Sequence, residues 1–309
     1  MLHVLNGGAT RVTAAGIPGE AIVWADVLHD GPVPDEPPAA LQATRAAHLA
    51  AAYHVSDHQL RREFERREAL DHFDRHDEVV FWLEHDLYDQ LLLLRHLHWL
   101  SGIDRGRTRF SLVCRDEYLG PSSPERLRTF FQERRSVSEE EIEAGREGWN
   151  QFRSTDPRAL VAWAASDQCH RLEFMSDALR RLFEEFPWAS DGLSRTERQA
   201  LSVVRGGAKT LSDAFVASQA MEERIFMGDL GFWDLVHRLE VGPQPLLAVV
   251  PPIGASVSGR ELVALTDGGR LVLDGKADAV ALNGIDRWIG GVHLTPNNCW
   301  RWTGALLVS

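Results

Sequence analysis

Short hydrophobic runs alternate with longer stretches of helical periodicity over the first 118 residues of the chain. The candidate strands are rich in β-branched or aromatic residues and are bounded by turn or charged residues; they run from Leu2 to Leu5, Ala21 to Val27, Glu78 to Leu83 and Arg109 to Cys114. Alternation of strands and helices favours a parallel sheet with helices on its faces. The pattern therefore predicts a Rossmann-like α/β domain over residues 1–118.

Helical periodicity dominates the segments between these strands and the region that follows them. Residues 39–75 are rich in Ala, Leu and Arg and predict two helices with a break near Ser56, and the apolar stretch from Tyr88 to Leu100 predicts a helix packed on the sheet. Over residues 119–188 apolar residues recur at spacings of three and four, which predicts a helical extension. Ser138 followed by Glu141 fits a capping box within it.

A third unit is predicted over residues 189–309, after a boundary at Pro187 and the turn-rich sequence that follows it. Its predicted elements are helices beginning at Ser194 and at Thr210 or Ser212, a helix from Gly228 to Glu240, and extended runs from Leu246 to Val250 and Glu261 to Leu265. The sequence TDGGRLVLDG, residues 266–275, predicts a turn. Three short helices followed by a β-hairpin is the order of a winged helix-turn-helix, so this unit is predicted to be winged-helix-like.

Composition and charge narrow the classes of partner. The chain has 309 residues and a net charge of −12, and bulk charge of this sign repels polyanions, so nucleic-acid binding is not expected. No apolar stretch is long enough for a membrane helix, and the first residues lack the features of a signal peptide, so a cytoplasmic protein without membrane contact is expected. The three cysteines are far apart and predict neither a disulfide framework nor a zinc ribbon.

Polar residues follow every candidate strand of the first region. They are Asn6, Gly7 and Gly8 after the first strand, Asp26, His29 and Asp30 after the second, Glu84, His85, Asp86, Tyr88 and Asp89 after the third, and Arg115, Asp116 and Tyr118 after the fourth. Ligands of open parallel sheets bind beyond the carboxyl ends of the strands, where these residues are expected to gather. The inventory of imidazoles, carboxylates, phenols and one guanidinium suits acid–base chemistry or a divalent metal.

Three roles are assigned to these residues. The catalytic candidates are His29, Glu84, His85, Asp86 and Asp89; the ligand-binding candidates are Asn6, Gly7, Asp26, Asp30, Tyr88 and Arg115; the metal-ligand candidates are His29, Asp30, His85 and Asp86, with Asp89 beside them. Structural roles compete with each assignment. Asp86 and Asp89 are also suited to cap the helix they open, and Asp30-Gly31-Pro32 and Asn6-Gly7-Gly8 are also ordinary turn sequences.

Six segments of the chain together resemble a family of bacterial proteins catalogued as domain of unknown function 1835. They are LHVLNGG, VWADVLHDGPVP, EHDLYDQLLLL, LSRTERQAL, FMGDLGFW and NGIDRWIGGVHL. The resemblance implies that Asp26, His29, Asp30, Glu84, His85, Asp86, Tyr88, Asp89 and Gln90 fall in the family's hallmark segments, but it implies no activity. The chain departs from the family pattern at Gly8, where an acidic residue is expected, and at Ala25, where arginine is common.

Three functions remain open at this point. The first is a small-molecule-binding enzyme of hydrolase or transferase type, with a nucleotide or phosphorylated metabolite as ligand by analogy with other such folds. The second is a ligand-sensing transcription regulator; its recognition helix would be Asp229 to Glu240, which is net acidic and therefore poorly suited to DNA. The third is an adaptor. The aromatic residues of the third unit are expected to pack against the first domain or a second subunit, which makes a homodimer a candidate.

Overall fold

The computed structural model of the protein describes residues 1–254 and 256–309. The strands are β1 Leu2–Leu5, β2 Glu20–Val23, β3 Gly31–Pro32, β4 Glu78–Glu84, β5 Arg109–Arg115, β6 Arg135–Ser136, β7 Leu247–Val250, β8 Leu262–Leu265, β9 Arg287–Gly290, β10 Val292–Leu294, β11 Arg301–Trp302 and β12 Leu307–Val308. The α-helices are α1 Pro38–Tyr53, α2 Asp57–Arg67, α3 Leu87–Ser101, α4 Pro124–Gln132, α5 Glu139–Phe152, α6 Arg158–Ala164, α7 Met175–Phe183, α8 Arg195–Arg205, α9 Leu211–Gln219, α10 Asp229–Glu240, α11 Asp267–Leu273 and α12 Ala279–Asn283. The protein is therefore mixed α/β.

The predicted parallel sheet is present near the N-terminus. Within the described residues it has five strands in the order β2-β1-β4-β5-β6; the first four are parallel and β6 is an antiparallel edge strand. The second strand is shorter than predicted and ends at Val23. Val23 pairs with Leu5, the last residue of β1, so the chain beyond Val23 has no ladder partner and leaves the sheet.

Helix boundaries follow the predicted capping residues. The break near Ser56 is confirmed, because Ser56 forms a capping box with Gln59 at the start of α2. Ser138 and Glu141 form the predicted capping box of α5, and Ser194 and Thr210 cap α8 and α9. Each box satisfies backbone N–H groups that a helix start otherwise leaves without partners.

Both faces of the sheet are buried at its central strands β1 and β4, which suits parallel strands. Every residue of β4 is buried, and its side chains alternate between the two faces. Val79, Phe81 and Leu83 join the core formed with α3 and α5, whereas Val80 and Trp82 join a smaller core that includes Phe130 of α4. The segment EVVFWLE, with its apolar run VVFWL, therefore forms a central strand, where helices cover both of its faces.

The last third of the chain divides between two cores. The helices α8, α9 and α10 and the antiparallel pair β7–β8 share a core of their own, which includes Leu201, Phe232 and Val249. The strands β9 and β10 instead join β3, with Gly31 paired to Ile289, and Ile289 belongs to the core of the first sheet. The predicted unit over 189–309 thus shares its final segment with the N-terminal region.

The prediction of a turn over residues 266–275 is wrong. Thr266 caps the helix α11 there, by accepting a hydrogen bond from the N–H of Gly269. Gly269 lies where an added Cβ would come within 2.2 Å of the carbonyl oxygen of Leu246, so this glycine allows close packing and does not mark a turn. In the described residues no helix is both long and apolar enough to cross a membrane.

Candidate functional site

The ends of two neighbouring parallel strands bring polar side chains together. Asn6, directly after β1, donates a 2.7 Å hydrogen bond from its side-chain amide to Asp89 of α3. The hydroxyl of Tyr88 donates to the carbonyl oxygen of Asn6 over 3.1 Å. The residues after β1 and β4 are therefore joined directly, as expected for neighbouring strands whose carboxyl ends meet at one edge.

Three carboxyl groups form a cluster at this edge, which we call the carboxylate cluster: Glu84, Asp86 and Asp89. One oxygen from each lies within 4.8 Å of the others, and all three residues are buried. Asp86 caps α3 by accepting from the N–H of Asp89, and Asp89 accepts from the N–H of Glu84 over 2.7 Å. The capping role considered for Asp86 is thus present, and it places Asp86 beside the other two acids.

Burial and mutual repulsion disfavour ionisation of the cluster. Burial, followed by the charge of Glu84, raises the pKa of Asp86 to about 7. Burial also raises the pKa of Asp89 well above its usual range, with Asp86 and Glu84 adding to the effect, and burial raises the pKa of Glu84. Like charges this close cannot all ionise in a site of low polarity, so the cluster holds protons near neutral pH.

A cavity of about 700 Å³ opens beside the carboxylate cluster, and we call it the strand-end cavity. Its lining residues come from the strand ends, from α1 and from the segment that leads into α10: Asn6, Gly7, Ala9, Thr10, Val27, His29, Leu49, Tyr53, Val55, Glu84, Tyr88, Tyr118, Gly120, Pro121, Ile225, Phe226, Gly228, Asp229, Leu230 and Gly231. Among these described lining residues none is lysine or arginine. Its walls are mostly apolar, with a few polar groups, which is the usual make-up of a small-molecule site.

The strand-end cavity is lined by one of the predicted catalytic residues, His29. This residue is buried, and neither ring nitrogen has a hydrogen-bond partner among the described residues. Its ring lies edge-on to Phe226, with centroids 4.9 Å apart, and 6.2 Å from the ring of Tyr88. Burial lowers the pKa of His29 to about 4, so the imidazole is neutral at pH 7 and can accept a proton or a hydrogen bond.

Two predicted site residues, His85 and Arg115, are not part of the described lining of the strand-end cavity. The Nδ1–H of His85 donates to the carbonyl oxygen of Arg115 over 3.2 Å, and the ring of His85 packs near Tyr118. Arg115 pairs with Glu133 at 3.0 Å and lies over the ring of Phe130. Arg115 ends the strand next to the edge of the sheet, and its partners hold it there.

The predicted ligand-binding acids after β2 have internal partners. Asp26 forms a buried ion pair with Arg45 at 2.7 Å; burial acts to raise the pKa of Asp26, but Arg45 outweighs it and lowers that pKa. Asp30 accepts hydrogen bonds from the hydroxyl of Tyr53 at 2.8 Å and pairs with His48 at 3.2 Å. These bonds outweigh burial and lower the pKa of Asp30. Both carboxylates hold the loop after β2 in place.

The predicted mixture of imidazole and carboxylate metal ligands is not gathered. Among the described residues, the carboxylate cluster is the one group of three such side chains whose ligand atoms lie within 4.8 Å of one another. It offers only oxygen atoms, which hard cations such as Mg²⁺ or Ca²⁺ prefer. One oxygen of Asp89 is buried without a hydrogen-bond partner and would be available to such an ion.

Several lining residues were not foreseen from the sequence. Tyr53 comes from α1. Phe226 comes from the segment before α10 and Leu230 from the first turn of α10, both far from the strand ends along the chain. The hydroxyl of Tyr118 donates to the carbonyl oxygen of Ile225 over 3.0 Å and ties this segment to the sheet. The sequence did give one indication of these lining residues: the segment FMGDLGFW, which contains Phe226 and Leu230, is one of the six segments that resemble the family.

Comparison with known proteins assigns no family. No protein-family model matches the chain, and no curated protein matches it. The resemblance to domain of unknown function 1835 therefore stays a prediction.

Proposed function

We propose that the protein is an enzyme of hydrolase or transferase type that acts on a small molecule in the strand-end cavity. One observation carries the proposal: Glu84, a member of the carboxylate cluster, lines the same cavity as the unpartnered His29. Enzymes that need an acid and a base at neutral pH often place two titratable groups in surroundings that move their pKa values in opposite directions. Here the carboxyl pKa values are raised, and that of His29 is lowered to about 4.

The proposed roles follow from these protonation states. Glu84 touches the cavity and would donate a proton to a leaving group, while Asp86 and Asp89 behind it would hold and exchange that proton. Neutral His29 would accept a proton from a nucleophile such as water or a substrate hydroxyl. Tyr88 would orient the ligand, because its ring lines the cavity while its hydroxyl is held by Asn6.

The cavity favours an uncharged or cationic ligand with an apolar body. Its described lining residues include the acids Glu84 and Asp229 and no basic residue, so nothing there balances a phosphate group. A nucleotide or phosphorylated metabolite would need a divalent cation held by the carboxylate cluster. The phosphorylated ligand expected from analogy therefore stays the second choice.

The proposed activity can be tested without knowing the substrate. Wild-type protein, Glu84→Gln and His29→Gln are each incubated with a bacterial metabolite extract, and the metabolites are followed by mass spectrometry. Glu143→Gln is a matched control, because Glu143 is exposed and pairs only with Arg146 of its own helix in the described structure. We expect at least one metabolite to be consumed by wild type and by the control but not by the two site variants. Binding without consumption would make the protein a binding module instead.

The regulator remains the alternative function, and the placement of α10 counts against it. Asp229, Leu230 and Gly231 of this helix line the strand-end cavity, and Arg238 pairs with Asp234 and faces Asp30. Part of the surface that a recognition helix would present to a DNA groove is therefore turned towards the strand ends of the N-terminal region. Under our proposal the N-terminal domain is Rossmann-like, and the winged-helix-like unit serves to close the cavity.

A further inference from the structure

A second cavity, of about 510 Å³, lies on the side of the loop after β2 that faces α1, α2, α3 and α5. We call it the arginine cavity because four arginines line it: Arg45, Arg67, Arg95 and Arg153. Its other walls include Trp24, Phe64, Trp99 and Trp149. None of these residues lines the strand-end cavity, so the two cavities are separate sites.

Two of the four arginines have internal acidic partners. Arg45 pairs with Asp26 at 2.7 Å, and its guanidinium also donates to the carbonyl oxygens of Asp30 and Val27. Arg153 pairs with Asp35 and donates to the carbonyl oxygen of Glu36. These two side chains hold the surrounding loops through their ion pairs, and the buried Nε of Arg153 has no hydrogen-bond partner among the described residues.

The other two arginines, Arg67 and Arg95, form no ion pair with any carboxylate in the described part of the chain. The guanidinium of Arg67 lies 4.5 Å from the ring centre of Trp24, donates to the carbonyl oxygen of Ala25 and leaves its buried Nε without a partner. The guanidinium of Arg95 lies 5.6 Å from Trp24 and 5.8 Å from Trp149. Both side chains are half-buried, and this burial lowers the pKa of each.

A half-buried guanidinium without a counter-ion carries an unfavourable desolvation free energy, and an oxyanion relieves it most effectively. Carboxylate and phosphate oxygens match the planar fork of arginine and accept two parallel hydrogen bonds. The remaining acids of the cavity do not fill this role: Glu36 accepts from Thr44, and Glu68 and Asp71 are exposed at the rim. The aromatic walls also suit a flat apolar group next to the anion.

We infer that the arginine cavity binds the oxyanion of a small molecule, either a carboxylate or a phosphate, between Arg67 and Arg95. This site is independent of the proposed chemistry at the carboxylate cluster. The two cavities should prefer ligands of opposite charge. The arginine cavity is lined by guanidinium groups and favours an anion, whereas the strand-end cavity is lined by carboxyl groups and does not. The protein would therefore recognise two chemically different small molecules.

Calorimetric titration of the full chain tests the inference with three probes: inorganic phosphate, phenyl phosphate and benzoate, each at constant ionic strength. We expect phenyl phosphate or benzoate to bind with a dissociation constant below about 1 mM. Arg67→Gln and Arg95→Gln should each weaken that binding at least tenfold. Arg66→Gln is the matched control, because Arg66 neighbours Arg67 in sequence but is exposed and pairs with Glu63, and it should bind as wild type does.

A second measurement needs no variant and covers the case in which one does not fold. Wild-type protein is labelled with the arginine reagent phenylglyoxal, with and without phenyl phosphate, and the modified sites are mapped by mass spectrometry. The ligand should protect Arg67 and Arg95 and leave Arg66 unprotected. Preference among the probes identifies a phosphate or a carboxylate as the source of the oxyanion. No binding of any probe up to about 10 mM, or equal protection of all three arginines, would overturn the inference.

Discussion

The side-chain amide of Asn6 donates a 2.7 Å hydrogen bond to the carboxyl group of Asp89, which joins the end of β1 to the first turn of α3. This bond also favours the ionised form of Asp89, and Asn6 has the same effect on Glu84. A neutral donor is therefore placed where three acids already crowd together. It limits the repulsion in the carboxylate cluster without adding a charge that would itself need burial.

We predict that Asn6→Asp destabilises the protein, because it replaces this donor with a fourth carboxyl group. The free energy of unfolding should fall by about 2–3 kcal/mol at pH 8 and by less at pH 5, where a protonated carboxyl can still donate. Urea denaturation at the two pH values measures the difference. Asn297→Asp, at an exposed loop position, is the control and should change stability by less than about 0.5 kcal/mol. Equal losses at both pH values would contradict the argument.

The raised pKa of Asp86 predicts a pH dependence with a definite sign. Because the pKa is about 7 in the fold and 3.8 ordinarily, the folded protein binds more protons than the unfolded chain between about pH 4 and 7. Stability contributed by this group is therefore lost as the pH rises through that window. Asp86→Asn retains the helix cap and removes the titration.

We therefore expect Asp86→Asn to be more stable than wild type at pH 8, by on the order of 2 kcal/mol, and to gain little at pH 4. Chemical denaturation across the pH range provides the measurement. Asp267→Asn changes a fully exposed acid in the first turn of α11 and should follow the wild-type pH dependence. A variant less stable than wild type at pH 8 would show that Asp86 is ionised in the fold.

We predict that replacing Arg181, which lies at the junction between the two cores, lowers the free energy of unfolding. Its guanidinium donates to Glu185 at 2.6 Å and to Glu222 at 2.7 Å, and it lies over the ring of Phe226. Arg181→Leu removes the main partner of two buried carboxylates, leaving Glu222 a 3.7 Å contact with Arg195 and Glu185 the hydroxyl of Thr196, and we expect a loss of about 3–5 kcal/mol in the free energy of unfolding. Arg180→Leu, at the exposed neighbouring position, should cost less than about 0.5 kcal/mol. Similar losses in the two variants would refute this account.

Much of the parallel sheet, and the polar residues at the carboxyl ends of its strands, could be predicted because the short-range sequence patterns there all indicated the same structure. Strand β4 is a continuous apolar run, and the acids after it begin a helix, so Glu84, Asp86 and Asp89 had to lie near its carboxyl end. Parallel pairing then brought Asn6 to the same edge. Each of these steps depends on short-range patterning or on the alternation of strands with helices.

The remainder of the site depends on contacts between distant segments, which leave no local pattern. Phe226 meets His29 only because the segment before α10 packs beside the strand ends of the N-terminal sheet, and Tyr118 holds it there by a hydrogen bond to a backbone carbonyl. Asp26 was predicted to bind a ligand, but its partner Arg45 lies in the middle of α1. Nothing in the sequence around either residue indicates that this pair forms.

The final prediction is that the full protein binds duplex DNA poorly. Affinity for DNA depends chiefly on cationic groups that neutralise phosphates, and the last part of the chain, residues 187–309, has 11 Lys or Arg against 13 Asp or Glu. Its arginines are largely engaged: Arg195 pairs with Glu184 at 2.7 Å, Arg205 with Asp274 at 3.3 Å, and Arg198 with Asp191.

Freeing those arginines for phosphates would leave their acidic partners exposed next to the DNA, which would oppose binding. We expect no submicromolar binding of mixed-sequence duplex in fluorescence anisotropy, at either about 50 or about 200 mM salt. Asp191→Asn and Asp274→Asn release two of the arginines and serve as a positive comparison, since they should strengthen any weak binding at the lower salt concentration. Submicromolar affinity of the wild-type protein that weakens steeply with salt would instead favour the regulator, because only an unpaired cationic surface produces that dependence.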